Sequence, residues 1–220
     1  ELARTAALPL ETDDKLAREV ASVLEPTVKV GRSIFLGRCA LCHGSEALGD
    51  GRMSPRLNPK PVNLTMSRAP GSYVKTVITM GGGAVGRSPR MPPWGGNLTD
   101  SEIASVILFL NTFRPPQEEH PAPLSSKSSA KEGAGIFMDY CSGCHGEDGR
   151  GEGPAAQSLA SKPTNLTLSR MPDGYMRTLI GEGSASVGRS PNMPPWKDTL
   201  TPVQIDSVIK HINTLRPPIK

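Results

Sequence analysis

Shifted by 102 residues, the sequence superimposes on itself without a gap, which confines the chain to two tandem copies of one fold. Gly31 falls on Gly133 and Phe35 on Phe137. Cys39-Ala-Leu-Cys42-His43 falls on Cys141-Ser-Gly-Cys144-His145. Asn63-Leu64-Thr65 matches Asn165-Leu166-Thr167, and Tyr73 matches Tyr175. Gly86-Arg87-Ser88-Pro89 and Met91-Pro92-Pro93-Trp94 match Gly188-Arg189-Ser190-Pro191 and Met193-Pro194-Pro195-Trp196. Arg114-Pro115-Pro116 and Arg216-Pro217-Pro218 close the two copies. The copies span 25–116 and 127–220. Residues 117–126, rich in Pro, Ser and charge, read as an exposed linker. Residues 1–24 form an extension without a counterpart, in which Thr12 to Leu24 fits a short helix with Leu16, Val20 and Val23 on one face.

Helical signals stand at both ends of each copy. Thr99-Asp-Ser-Glu102 and Thr201-Pro-Val-Gln204 are capping boxes. Behind them Ile103, Val106, Ile107 and Leu110, and then Ile205, Val208, Ile209 and Ile212, recur at i, i+3, i+4, i+7. At the other end Gly31, Phe35 and Cys39, like Gly133, Phe137 and Cys141, share one helix face. A glycine there allows another helix to approach closely.

The apolar side chains are few for two cores. Of 220 residues 36% are apolar and 4% aromatic, against 23 Gly and 22 Pro. A large, flat apolar body at the centre of each copy would supply the missing contact area. The cysteines say what that body is. All four lie in Cys-x-x-Cys-His motifs, where two thiols one helical turn apart can add to the two vinyl groups on one porphyrin edge and the histidine that follows can ligate iron. The expected cofactors are two covalently attached heme c. A dithiol redox site would call for alternating strands and helices, which are absent from the pattern, and a zinc site would need four ligands in one place.

Of the eight methionines only Met91 and Met193 superimpose. Each follows its histidine by 48 residues, in a Pro-rich stretch where a stiff loop could aim a thioether at iron. They are the expected distal ligands, with His43 and His145 proximal. The other six read as core filling. His120 and His211 have no repeat partners and read as surface residues. Arg87 and Arg189, or Trp94 and Trp196, could hydrogen-bond heme propionates. The Asn-Leu-Thr triplets at 63, 97 and 165 read as turns and caps.

In this order the Gly/Phe helix, Cys-x-x-Cys-His, the Gly-rich loop His145-Gly-Glu-Asp-Gly-Arg-Gly-Glu-Gly-Pro154, the methionine and the final helix resemble class I cytochromes c. The resemblance implies an all-α fold, two tandem cytochrome c domains each wrapping one covalently bound heme, with first and last helices crossed. It implies attachment at Cys39, Cys42, Cys141 and Cys144, ligation by His43, Met91, His145 and Met193, and one-electron transfer. The layout is similar to diheme cytochromes of the cytochrome c4 type.

The expected function is that of a periplasmic electron carrier between redox partners, with no catalytic residues, since an iron ligated on both faces leaves no position for substrate. The rivals are a diheme peroxidase or thiosulfate-oxidising enzyme, and an electron-transfer subunit of a larger complex. Export is expected because attachment of this kind is made outside the cytoplasm, and Glu1 reads as the start of a processed chain. No segment reaches the ~18 apolar residues of a membrane helix, and no nucleic-acid partner is expected. Residues 25–116 carry eleven Lys/Arg against five Asp/Glu, and 127–220 eleven against nine. This excess reads either as a solvated surface or, more sharply, as a dock on the first copy for an acidic redox partner.

Overall fold

The computed structural model describes residues 25–114 and 123–217. The helix expected over 12–24, most of the linker and His120 lie outside them. Both copies have the same order of helices. In the first, α1 (Val28–Ile34) continues through a π-helical segment (Phe35–Cys39) into α2 (Ala40–His43), followed by α3 (Gly71–Ala84) and α4 (Asp100–Asn111). The second has α5 (Ala130–Tyr140), α6 (Ser142–His145), α7 (Asp173–Glu182) and α8 (Pro202–Thr214). No strand occurs among the described residues, in line with the all-α expectation. The copies differ where the first helix reaches its cysteine. It is π-wound before Cys39 and regular α before Cys141, a difference that apolar periodicity does not carry.

Both capping boxes form, closing α4 through Thr99 and Glu102 and α8 through Thr201 and Gln204. Thr27 and Ser129 cap the first helices by accepting the Val30 and Glu132 N–H. These first helices cross the last ones closely. A Cβ on Gly31 would stand 1.8 Å from the Ser105 carbonyl oxygen, and one on Gly133 would stand 1.9 Å from that of Ser207. The same two serines receive hydrogen bonds from Thr27 N–H and Ser129 N–H, each 3.1 Å. Phe35 packs on Phe109, and Phe137 on His211 at 5.1 Å between centroids. His211 is thus half-buried against the core, not the surface residue its missing repeat partner suggested. An imidazole fills the space that Phe109 fills in the first copy.

The expected helix faces hold with one adjustment. Ile103, Val106 and Leu110 are buried, but Ile107 is only half-buried and Phe109 takes the inner place. The methionines split further from expectation. Met171 and Met176 are core residues, whereas Met66, Met80 and Met138 are exposed.

The copies meet through a pseudo-twofold pair of backbone hydrogen bonds, Asn63 N–H to the Gly188 carbonyl (3.1 Å) and Asn165 N–H to that of Gly86 (3.0 Å). Ala69 and Tyr73 of the first copy join the apolar core of the second. A further network has no equivalent in the first copy. Asp206 on α8 accepts from Arg177 Nε and from Ser125 N–H, both at 2.8 Å, and Lys210 donates to the Ser125 and Ser128 carbonyls. Ala104, Lys75 and Leu108 stand at the matching positions of the first copy. The clamp fixes the end of the linker onto the second domain.

Gly133→Ala should cost about 1–3 kcal/mol or more by overpacking the helix crossing, read as a lower denaturant midpoint. For Asp206, burial pushes the carboxyl up, but Arg177, the Ser125 N–H and Lys210 together hold it below the usual carboxylate range. Its stabilisation is therefore present above the unfolded value of about 3.9 and lost as pH falls through the lower folded one. Asp206→Asn should lose roughly 1.5–3 kcal/mol at neutral pH, the range for a hydrogen bond to a charged group. It should also show a smaller stability loss below pH ~4 than the parent, checked by urea unfolding at several pH values.

Candidate heme-binding sites

Each Cys-x-x-Cys-His motif is one helical turn wrapped by its own glycine loop. Gly44 and Gly146 end the turn with φ of 79° and 77°. The chain then folds back, so that Gly49 N–H meets the His43 carbonyl and Gly151 N–H that of His145. Gly51 and Gly153 lie so close beneath the motif that a Cβ would fall within 2.5 Å of its carbonyls, Leu41 in one copy and Ser142 in the other among them. Side chains are excluded there. The glycine loop holds the turn in place.

The four cysteines are free and half-buried. Burial pushes Cys39 up to about 11, with Arg38 pulling it partly back, and pushes Cys141 to about 11 as well. Burial also holds His43 and His145 below 6.5, so both imidazoles are neutral and keep a lone pair for a metal. His145 Nδ1 lies 3.2 Å from the Thr164 carbonyl, a contact that fixes the ring and leaves Nε2 as the ligating atom. His43 Nδ1 is buried facing the matching Val62 carbonyl, without closing a hydrogen bond of normal geometry. The sequence alone does not single out the carbonyls of Val62 and Thr164. They stand at positions related by the 102-residue shift, immediately before Asn63-Leu64-Thr65 and Asn165-Leu166-Thr167, but their side chains differ.

Met91 and Met193 are set by one device in both copies. Gly81 and Gly183, at φ 76° and 75°, turn the chain out of α3 and off the end of α7. A Cβ at either glycine would stand 2.8 Å from the nitrogen of Pro93 or Pro195. Gly82 N–H and Ser184 N–H then donate to the Met91 and Met193 carbonyls at 2.9 and 3.1 Å, and Trp94 and Trp196 N–H donate to Ile78 and Ile180. Cys39 and Trp94 edge the first core, and Cys141, Met193 and Trp196 edge the second. Met91 is half-buried on its loop but does not join the cluster that Cys39 and Trp94 edge.

Each motif offers two thiols and one neutral imidazole, and among the described residues no three His, Cys, Asp or Glu side chains gather so as to hold a metal ion. This donor set fits a macrocycle that brings its own four nitrogens to iron, and does not fit a bare metal ion. Asn63 and Asn165 cap short turns by accepting from Thr65 and Thr167 N–H, as the triplets suggested.

The family model for cytochrome C oxidase, cbb3-type, subunit III matches twice, at residues 26–110 and 128–212. The cbb3-type cytochrome c oxidase subunit FixP of Azorhizobium caulinodans is 31% identical over 97% of this chain, which spans 67% of that protein. Subunit CcoP of Cereibacter sphaeroides is 28% identical over 88% of this chain, which spans 63% of it. A chain of the Kuenenia stuttgartiensis reducing HAO-like protein complex shares the fold, with a TM-score of 0.57, 24% identity, and coverage of 89% of this chain and all of that one. No helix among the described residues is long and apolar enough to cross a membrane. Two gapless copies of one glycine-cradled Cys-x-x-Cys-His domain, each matched by the same model, show that the chain belongs to the cytochrome c oxidase, cbb3-type, subunit III family, with two tandem cytochrome c domains and two heme c.

Proposed function

We propose that this chain is an exported electron-transfer module of a cbb3-type oxidase, relaying single electrons from a redox donor through its two domains toward the oxidase. It acts as a carrier and not as a catalyst. Cys39 and Cys42 hold one heme and Cys141 and Cys144 the other. His43 and His145 are the proximal ligands, Met91 and Met193 the distal ones. The observation that carries this reading is the matched Gly-kinked loop presenting the only two repeat-equivalent methionines. When bound, the hemes supply reversible one-electron storage. The chain contributes neutral imidazoles turned by backbone carbonyls, and thioethers, which favour reduced iron and a comparatively high potential.

Among the rival readings the subunit of a larger complex is the favoured one, supported by the relatives, which are subunits of cbb3-type oxidases. Export is supported by the attachment chemistry, which is performed outside the cytoplasm. The donor is proposed to dock on the first copy, whose excess of lysine and arginine favours an acidic partner.

Met91→Ala and Met193→Ala should each abolish half of the weak red Met–Fe(III) absorption and lower the potential of one center in a spectroelectrochemical titration. If both left spectrum and potentials intact, this ligand assignment would fall. For docking, Lys60 and Lys162 are repeat-equivalent and exposed, so they make a matched pair. Lys60→Glu should slow reduction by a small acidic copper protein more than Lys162→Glu does, and the gap should close at high salt. Equal effects at low salt would move the dock elsewhere.

A further inference from the structure

The surface around the point where the chain enters each copy is polar in the second and apolar in the first. In the second copy Ser129 N–H meets the Ser207 hydroxyl, and the residues just before it form a strap along α8. Ser125 N–H donates to Asp206, and Lys210 Nζ donates to the Ser125 and Ser128 carbonyls. Beside them the Ser207 hydroxyl donates to Glu132 Oε2 at 2.7 Å. Under this strap Asp206 is buried and Lys210 half-buried. The first copy makes the same entry, with Thr27 N–H on the Ser105 hydroxyl. There, however, Val30, Ala104 and Leu108 stand at the places of Glu132, Asp206 and Lys210. Val30 is 41% exposed and Leu108 39%, high for large apolar side chains on packed helices. Lys75, at the place of Arg177, pairs with Asp100 at 3.0 Å, a residue that the second copy replaces with Pro202.

The incoming sequence differs in the same sense. Val23, Leu24 and Pro26 stand where the strap has Ser125, Ser126 and Ser128. Pro26 has no N–H with which to close the turn that Ser128 N–H makes on the Ser125 carbonyl. The polar strap therefore cannot be repeated on the first copy. Leu16, Val20 and Val23 make one stripe of the helix expected over 12–24. Val23 precedes Thr27 by four residues, which keeps it within about 14 Å of that contact. Ala104 and Leu108 lie one helical turn apart on the face of α4 that Thr27 approaches. We infer that the Leu16, Val20 and Val23 stripe of the N-terminal extension docks on the Val30, Ala104 and Leu108 face of the first copy, as the apolar counterpart of the linker strap. The two sides of the contact exchange together, polar against polar in one copy and apolar against apolar in the other. A second chain or another protein would have to reach this face by diffusion, whereas the extension is tethered beside it at a high effective concentration. The extension thus belongs to the first domain, and the inference is independent of which residues ligate iron.

The test is hydrogen exchange of the intact diheme protein, read peptide by peptide in a mass spectrometer. Leu108→Lys should speed exchange of the amides of residues 16–24 about tenfold, as uncovering a leucine contact would. It should leave residues 123–129 as they are in the parent. Met138→Lys, at a comparably exposed apolar site of the second copy, should alter neither segment. Parent amides of 16–24 that exchange as fast as unfolded chain would overturn the inference. So would parental exchange there in Leu108→Lys, or equal acceleration by Leu108→Lys and Met138→Lys. Both side chains are exposed, so neither change enters a core. Photochemistry identifies the occupant. With Leu108→p-benzoylphenylalanine, irradiation should join position 108 to residues 16–24 of the same chain. Cross-links between two chains would assign the face to a second copy and overturn the proposal, as would cross-links that miss the extension.

Discussion

The contact on which each domain depends is the crossing of its first and last helices at a glycine. With the Ser105 carbonyl where the Gly31 Cβ would be, and Ser207 likewise over Gly133, the backbones touch and the side chains splay around the contact. That geometry carries the rest. It sets Phe35 on Phe109 and Phe137 on His211, and it fixes the direction in which the first helix delivers its cysteines. A domain with so few aromatic residues cannot hold such an angle by bulk packing. It is held by the absence of a side chain and by one serine per copy whose hydroxyl accepts from the incoming cap residue.

From this crossing the cysteine–histidine turn and the methionine loop follow by glycine geometry more than by apolar packing. The Cys-x-x-Cys-His turn sits on Gly51 or Gly153, and the methionine loop leaves its helix at Gly81 or Gly183. Positive φ at these kinks is reached by glycine at little cost, and the close approach of Pro93 and Pro195 excludes a Cβ. A protein whose interior is largely prosthetic group needs loops of fixed shape, and the high Gly and Pro content serves that need. Composition read as a shortage of core is better understood as a supply of rigid turns.

Much of this was legible in the sequence because the duplication turns one chain into its own comparison. The capping boxes, the helix-crossing glycines and the Asn caps all lie at shifted positions and all form. What escaped was set by tertiary context. The π-helical winding before Cys39 leaves no periodic trace, and the carbonyls of Val62 and Thr164 are backbone atoms whose residue types differ. Exposure of Met66, Met80 and Met138 follows from where helices and loops lie, which methionine chemistry alone does not specify. His211 was misread because a missing repeat partner was taken for a missing role. The core accepted a half-buried imidazole where the other copy uses phenylalanine.

The copies have diverged most in charge where each faces its own surroundings, while the seam between them keeps its polar pairs and exchanges apolar residues, Met66 for Leu168 and Ala69 for Met171. The Asp206 clamp that ties the linker down exists in the second copy alone, and excess positive charge lies in the first. The seam keeps its pairs: Asn63 to Gly188 against Asn165 to Gly86, Tyr73 against Tyr175, Arg87 against Arg189. Gly86 and Gly188 are held there by contact as much as by φ, since a Cβ on either would lie 2.0 or 2.2 Å from an asparagine carbonyl of the other domain. A junction specified by backbone bonds and glycines tolerates little sliding. Electron transfer between two centers is sensitive to their separation, so a seam that resists sliding is what a two-center relay requires.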